Sequence, residues 1–282
     1  MSMLLALLLQ VGPHAGTDTL PDPHDALRDR APRETALEPP VDPTSQWLQT
    51  CLDLLDEDAS RAHTLAQIRR NEASGADRVI ANHCLGLAAT ELGLWNDARS
   101  AFLAARDETP VEEARTRARF GAMAGNAALA GGDAEEAIAL LSAAQADARS
   151  AASATLEAIA AADMARALVA LDRRQEALLA LANVTRLEPD KAEGWLLTAT
   201  LFRRMERLDD AQEAIERAAM LAPQNAEVGL EAGVIAVLAG REESARQSWQ
   251  SVIVMQPDSP AAATAKTYLA QLGPGPEEPA TP

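Results

Sequence analysis

Alanine recurs at Ala177, Ala211 and Ala245, 34 residues apart each time. A large apolar residue follows four positions later at Leu181, Ile215 and Trp249, and a proline twelve positions after each alanine, at Pro189, Pro223 and Pro257. Three columns that keep one phase mark a supersecondary unit repeated along the chain. The same set returns earlier at wider spacing: Ala98, Phe102 and Pro110, then Ala137 and Leu141, with Arg149 where the proline would stand. The departures are insertions of five or six residues. A unit of this length cannot bury an apolar face alone, so such repeats gain stability by stacking.

Aromatic residues make up only 3% of the 282 residues, and alanine and leucine dominate. That composition favours close-packed helices over sheets built from β-branched and aromatic side chains. The expected fold class is therefore all-α. A formal charge of −17 excludes a binder that neutralises phosphates with lysine and arginine, so no nucleic-acid partner is expected. The same charge disfavours docking on anionic lipid.

The phased columns resemble the tetratricopeptide repeat, whose pattern has a small residue at position eight, alanine at twenty, a large apolar residue at twenty-four and proline at thirty-two. Position eight here holds Gly86, Gly125, Ala165, Ala199 and Gly233, and position twenty-seven holds Ala105, Ala144, Val184, Ala218 and Val252. Trp195 supplies the fourth-position aromatic of its repeat. The resemblance implies a right-handed superhelical solenoid of antiparallel helix pairs. Small residues at eight and twenty would face each other, with position twenty-four filling the space to the next repeat. Capping-box spacing at Asp133/Glu136, Asp172/Gln175 and Asp209/Gln212 predicts the start of second helices, and Asp190/Glu193 the start of a first helix.

The repeat region is expected over 45–272, with a degenerate repeat at 45–78, clear repeats over 79–257 and a capping helix at 260–272 begun by Ser259 and Pro260. Residues 16–44 read as a proline-rich linker and 273–282 as a disordered tail, since neither carries enough apolar surface to offset chain entropy. The apolar run Met3–Val11 suits the core of an export signal over residues 1–15 and is too short to span a bilayer, although no lysine or arginine precedes it. A periplasmic or secreted protein is expected, or a cytoplasmic one if that run is not a signal.

In the tetratricopeptide family the first helix of each repeat lines a concave groove that takes a partner protein or peptide. Carried over by repeat position, the groove residues are His83, Leu87, Arg119, Met123, Asn126, Asp163, Arg166, Leu196, Leu197, Thr200, Arg203, Glu231 and Val234, with Cys84 on the same face. Leucines and valine here serve inter-repeat packing or partner contact alike. Arginines in an acidic chain suit a partner that combines apolar anchors with carboxylates. The carboxylate clamp of some family members is not matched, because Ala122 stands where its lysine should be, although Asn126 fits.

Cys51 and Cys84 fall on first helices of adjacent repeats. Three states stay open: a disulfide, two buried thiols, or a metal site with His63 and His83 whose spacing matches no usual zinc pattern. Four histidines and one tyrosine make a thin catalytic inventory, and Gly131–Gly132 is an inter-helix turn with no lysine after it to hold phosphate. The expectation is a non-catalytic interaction scaffold without cofactor. The alternatives are a metal-binding or enzymatic module around Cys51, His83 and Cys84, and a self-associating structural protein.

Overall fold

Helix-stopping prolines and left-handed turns divide the chain into short helices. The computed structural model describes residues 43–273, and these form thirteen helices with no strand among the described residues. They are α1 (Pro43–Glu57), α2 (Ala59–Glu72), α3 (Ala76–Glu91), α4 (Trp95–Glu108), α5 (Ala114–Ala130), α6 (Ala134–Ser150), α7 (Ala154–Ala170), α8 (Arg174–Leu187), α9 (Ala192–Arg204), α10 (Leu208–Leu221), α11 (Ala226–Leu238), α12 (Glu242–Met255) and α13 (Pro260–Leu272). Each helix packs on its chain neighbours, and α1–α2 through α11–α12 form six antiparallel pairs closed by α13. The expected export signal, the linker up to residue 42 and the tail after Gly273 lie outside the described residues.

The proline column acts as a stop. Helices α4, α8, α10 and α12 end at Glu108, Leu187, Leu221 and Met255, two residues before Pro110, Pro189, Pro223 and Pro257. A proline disfavours helical backbone in the residue before it and lacks an N–H of its own. Where Arg149 replaces proline, α6 runs on to Ser150.

Within each clear pair the turn between helices places one residue in the left-handed region: Gly93, Gly132, Asp172, Glu206 and Gly240, at φ of 69°, 87°, 58°, 60° and 74°. This column fixes the start of each second helix and corrects the capping expectation. Asp133 accepts from the Glu136 N–H at 3.1 Å as expected. Asp172 instead occupies the left-handed position, Asp209 falls inside the first turn of α10, and Arg173 and Arg207 stand at the N-caps. Each of these arginines pairs with an acid three residues on, Glu176 or Asp210, at 2.7 Å. Asp190 likewise precedes the N-cap Lys191 of α9 and caps nothing by side chain. The final helix begins as expected, with Ser259 Oγ accepting from the Ala262 N–H at 3.1 Å and Pro260 in the first turn.

Packing inside each pair follows a size match between positions eight and twenty-four. A Cβ on Gly86 would lie 2.5 Å from the Phe102 ring, one on Gly125 2.6 Å from Leu141, and one on Gly233 2.1 Å from the Trp249 indole nitrogen. Where position twenty-four is Leu181 or Ile215, position eight is Ala165 or Ala199. The small residue at eight therefore receives the large residue of its own repeat, instead of only facing the alanine at twenty. The alanines at twenty, Ala98, Ala137, Ala177, Ala211 and Ala245, are all fully buried.

The long repeats spend their extra residues on helix. Helices α5, α6 and α7 each have 17 residues, whereas α9 to α12 have 13 or 14. The longer α4–α5 connection is pinned from inside. The Arg117 guanidinium donates to the carbonyls of Arg106 and Thr109, each at 2.9 Å, and Arg106 reaches Asp147 on α6 at 2.9 Å. At the N-terminal end, Cys51 of α1 and Cys84 of α3 are both fully buried and paired as a disulfide, with Cα atoms 6.3 Å apart.

Candidate partner groove

The first helices α3, α5, α7, α9 and α11 present the residues carried over by repeat position, and the structure sorts them into three groups. His83, Leu87, Met123 and Leu196 belong to packing. The His83 ring meets Phe120 edge-on at 5.2 Å and lies 6.5 Å from Phe102, and burial pushes its pKa below the ordinary value. Leu87 and Met123 lie against the α3–α5 core, and Leu196 against the α9–α11 core.

The second group is a polar row crossing from one helix to the next. Asn126 of α5 donates to Asp163 Oδ2 of α7 at 2.8 Å. Asp163 is only 4% exposed, and Arg166, one turn on, binds its other oxygen. Burial raises the Asp163 pKa, while the Asn126 hydrogen bond and the Arg166 charge oppose that rise. Arg166 also reaches Glu193 of α9 at 3.4 Å. Further along, Arg203 of α9 pairs with Glu231 of α11 at 2.6 Å, both side chains largely covered. The arginines expected to wait for a partner's carboxylates are thus met by the chain's own. Arg119 of α5 and Arg204 of α9 are exposed and have no carboxylate at ion-pair distance among the described residues.

The third group lines cavities. Leu197 and Thr200 border a cavity of about 300 Å³ between α7, α8 and α9, together with Ala162, Arg166, Leu181 and Arg204. A second cavity of about 310 Å³ shares Ala162, Arg166 and Leu197 and extends past the start of α9 to Glu188 and Lys191. Val234 borders a third, of about 270 Å³, beside Trp249 and Tyr268.

Repeat position five explains the α7–α9 cavities. It holds Ala162 on α7, but Leu196 on α9 and Leu230 on α11. In addition, α7 begins at Ala154, four residues ahead of the repeat's first position, whereas α9 begins at that position with Ala192. The extra turn of α7 therefore faces the α8–α9 connection, to which it is tied by Thr155 donating to Glu188 at 2.7 Å. Ala162 and Arg204 occupy positions five and thirteen, groove positions in the family, yet the sequence reading passed over them. The preceding repeat also has an alanine at position five, Ala122, so Ala162 does not stand out in the sequence.

The expected ligands of a metal site do not converge. His63 Nε2 lies 3.9 Å from Asp97, His83 is packed between phenylalanines and the two cysteines bond each other. Among the described residues no three His, Cys, Asp or Glu side chains gather as a set of ligands.

No family model matches the sequence, and no curated protein matches it. Solved structures do match in fold. PilW, described as a widely conserved type IV pilus biogenesis factor, aligns with a TM-score of 0.60 at 15% identity, covering 79% of this chain and 98% of that one. Pseudomonas aeruginosa pilF aligns at 0.55 and 15% identity, over 80% and 97% of the two chains. MamA from residue 41 onward, from Desulfovibrio magneticus RS-1, aligns at 0.52 and 16% identity, over 66% and 100%. These are tetratricopeptide-repeat proteins, and this chain has their fold: an all-α stack of tetratricopeptide-like helix pairs.

Proposed function

We propose that the protein is a non-catalytic scaffold that holds a partner protein or peptide along the face formed by its first helices. The observation that carries this reading is the polar row Asn126–Asp163–Arg166–Glu193, continued by Arg203–Glu231, which ties successive first helices together side chain to side chain. A face fixed in this way has met its ordering cost on folding, so a partner's binding free energy is not spent on arranging it. Arg119 and Arg204, which have no carboxylate at ion-pair distance among the described residues, stand out in a chain of net charge −17.

Affinity capture from the native host's envelope fraction tests the reading, using the full chain and an Arg119→Glu/Arg204→Glu variant. Both side chains are exposed, so the variant keeps its helical signal and melting temperature while losing the captured partner. Equal capture by both proteins counts against the groove. The reading extends to export into the periplasm or beyond, supported by the apolar run Met3–Val11 and by the Cys51–Cys84 pairing. Thiol titration of denatured, unreduced protein from the host addresses it: no free thiol fits export, and two free thiols oppose it.

A further inference from the structure

The geometry points to the cavity between α7, α8 and α9 as a pocket for one large apolar side chain of a partner polypeptide that carries a carboxylate on an adjacent residue. The inference rests on the groove reading and names where in the groove recognition is concentrated. A volume of about 300 Å³ is room for such a side chain, since a cavity of roughly 150 Å³ already admits benzene. Its apolar surface comes from Ala162, Ala165, Leu181 and Leu197, so a leucine- or phenylalanine-sized group gains burial there.

The charges at this pocket are of one sign. Among the described residues, Arg166 and Arg204 are the only ionisable ones in its lining. Arg166 is engaged by Asp163 and Glu193, whereas Arg204 has no carboxylate at ion-pair distance among the described residues and the Thr200 hydroxyl lies in the same lining. An acid arriving beside the buried side chain meets an arginine able to take it in two hydrogen bonds. Elsewhere a chain of this net charge repels acidic segments, so a single carboxylate set next to a large apolar residue is favoured over a uniformly acidic stretch. Among the described residues, the lining of the cavity beside Tyr268 has no ionisable group other than that phenol and offers no such pairing.

Two arms test the pocket. In the first, fluorescence anisotropy is run with labelled, N-acetylated and C-amidated octapeptides of glycine and serine carrying a central Leu–Asp, Leu–Asn or Ala–Asp pair. The Leu–Asp peptide is expected to bind about tenfold more tightly than either relative. Ala162→Leu, which fills the cavity, erases the advantage of leucine over alanine. Arg204→Gln erases that of aspartate over asparagine. Methyl NMR with the Leu–Asp peptide shifts Ala162, Leu197 and Thr200 first. Absence of binding at millimolar peptide, shifts confined to another face, or full displacement of the peptide by an equal concentration of octanoate each overturns the proposal. In the second arm the partner captured from the host is tested against Ala162→Leu and against Arg119→Glu. A partner lost from Arg119→Glu but held unchanged by Ala162→Leu leaves the groove standing and removes the pocket. A partner held by both removes the two together.

Discussion

The stack contains two kinds of level, and they solve one packing problem differently. From Ala98 to Ala137 the alanine column advances 39 residues and from Ala137 to Ala177 it advances 40, whereas the last steps are 34. In the wide levels the extra residues give 17-residue helices, and α4 lies along α5, and α6 along α7, over more of their length than α8 along α9 or α10 along α11. The narrow levels end their second helices at prolines and rely on large side chains, Leu196, Phe202, Ile215 and Trp249, to fill the space between pairs. The longer helices meet their neighbouring pairs over more of their length, whereas the shorter ones meet over less, with large side chains at the contact. The seam at which a long α7 meets a short α9 has neither device in full, and the two cavities sharing Ala162 lie there.

The Cys51–Cys84 pair is the strongest test of how the N-terminal end is held, because α1 has no helix before it among the described residues. Their 33-residue separation implies that replacing both cysteines with alanine lowers stability by about 3–4 kcal/mol, read as a fall in urea midpoint. An unchanged midpoint would show that α1 is held by packing alone. The next effect contrasts the levels directly. Arg149→Pro, placed in the last turn of the longer α6, is expected to cost about 3 kcal/mol by chemical denaturation. Pro189→Ala, beyond the end of α8, changes stability by less than about 1 kcal/mol. Similar losses for the two would erase the distinction between a helix that runs through and one that is stopped. Below the Arg149→Pro loss stands Gly233→Ala, which drives a Cβ into the Trp249 indole and costs roughly 1–3 kcal/mol. Adding Trp249→Ile reproduces the Ala199/Ile215 match, so the double variant should lose less than the two single losses combined.

Much of the fold was legible because its signals are local and periodic. The alanine column sits where two helices touch, so substitution by anything larger would separate them, and it appears in the sequence at full strength. The proline stops were legible for the same reason. Turn register was not, because the left-handed position accepts Gly93, Gly132 and Gly240 but also Asp172 and Glu206, and an aspartate one residue from a helix start imitates a cap. For the groove, repeat position placed the residues on the right helices yet could not tell which charges were already satisfied. Beyond the local Asp163–Arg166 pair, that depends on side chains 27 to 37 residues apart in sequence, as in Arg166 with Glu193 and Asn126 with Asp163. The cavities were missed because an alanine among alanines, such as Ala162, gives no sign that the helix opposite it is too short to close the space.

The central claim is that partners are held on the first-helix face. Photo-crosslinking tests it most directly, with benzoylphenylalanine placed in turn at Arg119, Thr200 and Val234 on first helices, and at Leu179, Met220 and Val254, which are 73%, 68% and 80% exposed on second helices. Covalent adducts with the captured partner from the first set alone are the predicted result; adducts from the second set with none from the first would contradict the account.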